Sequence, residues 1–148
     1  MRIMGIDYGD SRVGVAISDP MGWTAQGLET IAQKDQEKVL DRLVELIRQY
    51  QVEKVVVGFP RNMNGTVGPR GELTGKFIEN LSKRTDAEII LWDERLTTVA
   101  AHRILNETNV RGKKRKKVVD TVAAGYILQG YLDSINIKNN IPNNFEYK

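Results

Sequence analysis

Residues 54–59 read Lys-Val-Val-Val-Gly-Phe, an apolar run without polar alternation. A strand with one wet face alternates apolar and polar side chains. A run that is apolar throughout belongs on a strand buried on both faces, as parallel strands are. The preceding segment, 35–50, has helical spacing instead: Val39, Leu40, Leu43, Val44, Leu46 and Ile47 form one apolar face with charges opposite. Residues 60–71 form a loop rich in Pro, Gly and Asn, a helix follows at 71–84, and 87–92 is a second buried strand. A helix is predicted over 96–108, capped by Thr97 or Thr98, and a last one over 116–135. The opening differs. Segments 2–7, 12–18 and 23–31 are short strands separated by turn residues at 7–11 and 19–22, which gives an antiparallel meander. The order βββαβαβαα predicts an α/β protein, a mixed sheet flanked by helices on both faces.

The chain has 148 residues, enough for one independently folding domain. We read residues 1–136 as that domain and 137–148 as a loosely ordered, Asn- and Lys-rich tail. No apolar run approaches the roughly 20 residues of a membrane helix, and no signal peptide is visible. There is no cysteine, which excludes disulfides, thiolate metal sites and cysteine nucleophiles and agrees with a cytoplasmic location. One histidine, His102, makes a histidine-based zinc site a poor fit; it reads as a surface residue.

Three acids stand where acids are unwelcome. Asp7 ends the apolar run Ile3-Met4-Gly5-Ile6, Glu94 follows Ile89-Ile90-Leu91-Trp92, and Asp120 lies among Val118, Val119, Val122, Ala123 and Ala124. A buried carboxylate costs several kcal/mol unless compensated, and three together repel one another. A hard divalent cation, Mg²⁺ or Mn²⁺, is the usual remedy, and it points to chemistry on phosphates. Each acid also has a plainer role: Asp7 as a turn residue, Asp120 as an acid complementing a helix dipole, and Asp93, which competes with Glu94, as a helix cap. Asp133 reads as surface charge.

Residues 111–117 carry six positive charges around one glycine, including Lys113, Lys114, Arg115, Lys116 and Lys117. Such a run repels itself and is expected to be a mobile, solvated segment, either plain surface or a contact for a nucleic acid backbone. In the 60–71 loop, Arg61, Asn62, Asn64 and Arg70 together with glycines can approach phosphates or bases, although loops often carry such residues for their own structure. Arg12 and Arg95 flank the acids in sequence and can contact a phosphate or pair with an acid. Trp23 and Trp92 are expected in the core rather than as stacking platforms.

Several segments together resemble the YqgF/RuvX family. They are Gly5-Ile6-Asp7-Tyr8-Gly9, Arg12-Val13-Gly14-Val15-Ala16, Ser18-Asp19, Gly58-Phe59-Pro60, Asn62-Met63-Asn64-Gly65-Thr66, Gly68-Pro69-Arg70, Asp93-Glu94-Arg95-Leu96-Thr97-Thr98, and Asp120 with Ala123-Ala124. The match is collinear over about residues 1–134. The resemblance implies an RNase H-like fold, shared with RuvC-type Holliday junction resolvases, and a proposed nuclease role in maturing the 5′ end of pre-16S rRNA. It also favours Glu94 over Asp93 as the acid of that segment. Asp7, Glu94 and Asp120 are then the expected catalytic residues and metal ligands, around two cations that activate a water and stabilise the leaving oxygen. Expected partners are pre-16S rRNA or, alternatively, branched DNA, with no membrane, for a monomer or weak dimer. A junction resolvase would need a dimer, and no clear dimer helix is visible. A non-catalytic RNA-binding or transcription-associated factor is a further alternative. An actin-like or sugar-kinase ATPase would need two such domains, and the chain has length for one.

Overall fold

A computed structural model of the chain describes residues 2–9, 11–62, 64–96 and 113–140. Strands β1 (Arg2–Tyr8), β2 (Val13–Ser18) and β3 (Ala25–Ile31) form the expected meander. β1 and β2 pair antiparallel with Met4 opposite Ile17 and Asp7 opposite Gly14. The β2–β3 turn is tied by Asp19, whose Oδ1 accepts from the backbone N–H of Trp23 (2.7 Å) and Thr24 (2.9 Å). Gly22 supplies the positive φ of 76° that this turn needs.

Helix α1 (Gln36–Gln49) follows, then β4 (Val52–Phe59), helix α2 (Pro69–Ser82) and β5 (Glu88–Asp93). Asp35 caps α1 by accepting from the Glu37 N–H at 3.0 Å. α2 begins at Pro69 rather than at 71, because proline's fixed φ and missing N–H suit a first helical position. A single 3₁₀ turn covers Glu94–Leu96, and helix α3 covers Lys113–Asn140. The helix predicted at 96–108, with its caps Thr97 and Thr98 and with His102, lies outside the described residues apart from Leu96 in that turn.

β4 lies parallel to β1 and to β5, so the sheet is mixed, in the order β3-β2-β1-β4-β5. Period-two alternation then sorts side chains onto two faces. Met4, Ile6, Val13, Val15, Val55 and Val57 pack with Leu40 and Leu43 of α1 and Phe77 and Leu81 of α2. Ile3, Ala16 and Val56 pack on the other face with Ala124, Ile127, Leu128 and Leu132 of α3. Helices therefore cover both faces, and the apolar run of β4 is the strand that needs both.

The structure departs from the sequence pattern in three places. Residues 87–92 were expected to form a buried strand, yet β5 is at the sheet edge and Leu91 is 50% exposed. Trp23, expected in the core, is 49% exposed because it lies in the hairpin turn beyond the sheet. Trp92 does join the second core, edge-on to Tyr131 at 6.2 Å. The basic run was expected to be a mobile segment before a helix at 116, but Lys113–Lys117 already belong to α3. Lysine and arginine are good helix formers, and the packed length that follows offsets their repulsion. No helix among the described residues is long and apolar enough to cross a membrane.

Candidate active site

The C-terminal ends of β1, β4 and β5 meet at one end of the sheet, where open α/β sheets gather ligand sites. Asp7 stands there on the α3 face of β1, in phase with Ile3 and Gly5, and is only 5% exposed. Its neighbours across the sheet are glycines. β2 places Gly14 opposite it, and on β4 the step after the Ile6–Val57 pair brings Gly58 alongside.

Those two glycines mark where other elements descend onto the sheet. A Cβ on Gly14 would lie 2.1 Å from the Asp120 carbonyl oxygen and 3.1 Å from the Asp120 Cβ. A Cβ on Gly58 would lie 2.5 Å from Ile127 Cδ1 and 2.8 Å from Glu94 Oε1. Adjacent strands are about 4.8 Å apart. Asp120 and Glu94 therefore attach about one strand to either side of Asp7. Three acids from opposite parts of the sequence reach one end of one sheet face.

Asp120 sits two turns into α3 and not in its first turn, which contains no acid, so complementing the helix dipole is not its role. Its Oδ2 instead accepts from Arg12 Nε at 2.8 Å, across 108 residues of sequence. As donors the carboxylates suit a hard cation. Their positions do not complete a site as they stand: among the described residues no three acids come close enough to hold one ion.

Asp93 is engaged with arginines. Its Oδ2 is 2.7 Å from Arg95 Nη2 and 3.9 Å from Arg61 Nε. Hydrogen bonds from Arg95 hold its carboxyl below the usual aspartate range. Arg95 Nη1 also reaches the Asn62 carbonyl at 3.5 Å, and Arg61 stacks over the Phe59 ring. The 60s loop is folded on itself: Asn62 Nδ2 donates to Thr66 Oγ1 (2.9 Å), and Asn64 Oδ1 accepts from the Thr66 N–H (3.1 Å). Gly65, with φ of 88°, closes it by donating to the Asn62 carbonyl. Arg70 Nη2 donates to the Tyr8 carbonyl at 3.0 Å, next to Asp7. Arg12, Arg61, Arg70 and Arg95 thus all have contacts at the same end of the sheet as the acids. Asp133 lies on the surface, where Gln129 donates to it. Of the basic run, Lys113, Lys114, Arg115, Lys116 and Lys117 are placed by their backbone alone, in the first turns of α3.

Sequence reasoning missed Gly14 and Gly58 as the positions where α3 and Glu94 approach the sheet beside Asp7. The signal was present as a glycine inside each of two strand patterns, which marks a close approach of other backbone or side chains.

A family model described as "RuvX: Holliday junction resolvase" matches residues 1–134. A protein of Ruminiclostridium cellulolyticum, provisionally named pre-16S rRNA nuclease, is 60% identical over 136 residues, covering 91% of this chain and 96% of that one. One of Acetivibrio thermocellus, under the same name, is 61% identical, covering 90% and 96%. The solved structure of Thermus thermophilus RuvC in complex with a Holliday junction substrate aligns with a TM-score of 0.55 at 13% identity, over 91% of this chain and 96% of that one. At that identity the likeness is one of fold, and the fold is RNase H-like.

Proposed function

This chain belongs to the RuvX family of nucleases, hydrolases of phosphodiester bonds, and we propose from that premise that it processes the 5′ end of pre-16S rRNA. One observation carries the reading. A buried aspartate, Asp7, is flanked in the sheet by two glycines, and over those glycines stand Asp120 and Glu94. The clearance lets α3 and Glu94 approach the sheet on both sides of Asp7, so that all three acids reach one end of one face.

In this reading Asp7, Glu94 and Asp120 are the catalytic acids, with Mg²⁺ or Mn²⁺, ultimately two ions, as the cofactor that such a donor set suits. Arg12, Arg61, Arg70 and Arg95 contact backbone phosphates around them, Asn62 and Asn64 shape the loop that carries Arg61, and Lys113–Lys117 extend the track along α3. The protein would act in the cytoplasm as a monomer or weak dimer.

The name of the family model and the junction-bound neighbour favour a four-way DNA junction as the second substrate to try. The test is direct. A labelled pre-16S rRNA fragment and a labelled four-way DNA junction are incubated with the protein in Mg²⁺ and in Mn²⁺. Metal-dependent cutting of the RNA supports the proposal. Paired symmetric cuts in the junction, with the RNA intact, replace it by the resolvase reading. Binding without cutting of either replaces it by a non-catalytic role.

A further inference from the structure

Asp120 has two claimants. Its backbone is fixed where α3 descends onto Gly14, so only its side-chain torsions decide where the carboxylate points. The carboxylate points at Arg12, with Oδ2 at 2.8 Å from Nε. Arg12 is also held by its backbone: its carbonyl accepts from the Gly9 N–H at 3.0 Å in the turn that follows Asp7. The same turn therefore links the most buried acid to the cation that engages the third acid. Among the described residues the three acids do not converge on one point.

We propose that Arg12 competes with the divalent cation for Asp120, and that a phosphate of the nucleic acid substrate draws Arg12 away. A guanidinium binds phosphate and carboxylate with similar fork geometry, so one partner can replace the other. The existing pair is exposed enough, 34% for Arg12 and 17% for Asp120, to be exchanged at small cost. Substrate arrival would then free Asp120 to turn toward Asp7 and Glu94. Cation and nucleic acid would bind with positive coupling, each raising the affinity for the other by the same factor. The device favours complete metal binding in the complex with substrate by that same few-fold factor. It rests on the reading of Asp120 as a member of the acidic site.

Mn²⁺ binding to the intact protein without nucleic acid tests it, followed by loss of the free-ion electron paramagnetic resonance signal. We expect Arg12→Gln to bind Mn²⁺ roughly two- to five-fold more tightly than wild type, the range for an ion pair that keeps partial solvent access. Arg12→Gln combined with Asp120→Asn should bind no more tightly than Asp120→Asn alone, because the carboxylate in dispute is gone. Arg12→Lys, which keeps a charge, guards against a folding defect in the glutamine variant and should stay near wild type. In a parallel RNA-binding assay without Mn²⁺, Arg12→Gln should lower the salt slope by about one. Equal or weaker Mn²⁺ binding by Arg12→Gln overturns the competition and makes Arg12 an orienting partner of Asp120. An unchanged salt slope overturns the exchange onto phosphate. Absence of Mn²⁺ binding by every variant overturns the metal site itself, and the competition with it.

Discussion

Asp7 shows how much one residue can require of its surroundings. A carboxylate 5% exposed on a sheet is costly, and the glycines on either side of it leave room for α3 and Glu94 to close down onto the sheet beside it. Asp7→Asn keeps the volume and removes the charge. We predict that cleavage falls at least about 100-fold, the scale of losing one charge-handling group in an active site, while the melting curve stays near wild type. Cleavage assays beside thermal denaturation check this, and full activity would remove Asp7 from the site. Much of this was legible in the sequence, because Asp7, Glu94 and Asp120 each break an apolar pattern. The contact of Arg12 with Asp120 was not legible. Local patterning records which face a residue takes, not which side chain it meets 108 residues away.

At the scale of elements, the two glycines predict unequal outcomes. The Cβ of Gly14→Ala collides at 2.1 Å with backbone, so α3 must lift. The Cβ of Gly58→Ala meets side chains instead, those of the buried Ile127 and of Glu94, and side chains yield more readily than a helix backbone. Gly14→Ala should cost about 1–3 kcal/mol or more, the range for overpacking, and Gly58→Ala less. Both should impair cleavage, since each displaces an acid. Chemical denaturation with activity assays separates the two effects, and equal stability losses would contradict the geometry. α3 offers an opposite trade. Positive charges at a helix start oppose its dipole, so neutralising Lys113 and Lys114 should gain about 0.3–1 kcal/mol each. Neutralising all of Lys113–Lys117 should weaken RNA binding and flatten its salt dependence, and an unchanged salt slope would take the segment off the phosphate track. The strands and helices of the first 96 residues were readable because periodicities of 2 and 3.6 are local properties. The start of α3 was not, because repulsion among the charges was visible and the packing of the rest of the helix was not. The edge position of β5 likewise depends on strand order, which no local pattern states.

At the scale of the molecule, one mixed sheet separates two cores, and the proposed site lies where the parallel strands end. A net charge of +3 gives only a weak overall field, so recognition of a polyanion depends on where the charges sit. The two layers on one face are tied together by Arg42 of α1, which donates to Glu29 of β3 at 2.6 and 2.8 Å. The Arg42 hydrogen bonds hold the Glu29 carboxyl below the ordinary glutamate range. The folded state therefore gains stability from this pair above the unfolded glutamate pKa of about 4.3, and loses it as pH falls through the lower folded value. Because both partners are partly exposed, the contribution is small. Melting temperature should drop less on acidification in Glu29→Gln than in wild type, and parallel curves would show that the pair contributes nothing. The central claim is that Asp7, Glu94 and Asp120 form one catalytic site, and the most direct measurement is single-turnover cleavage of the labelled pre-16S rRNA fragment in Mn²⁺. It would compare wild type, Asp7→Asn, Glu94→Gln and Asp120→Asn, each shown to be folded and to bind the RNA. The account predicts cutting by the wild type and its loss in all three variants. Near-wild-type cutting by any one of them would contradict it.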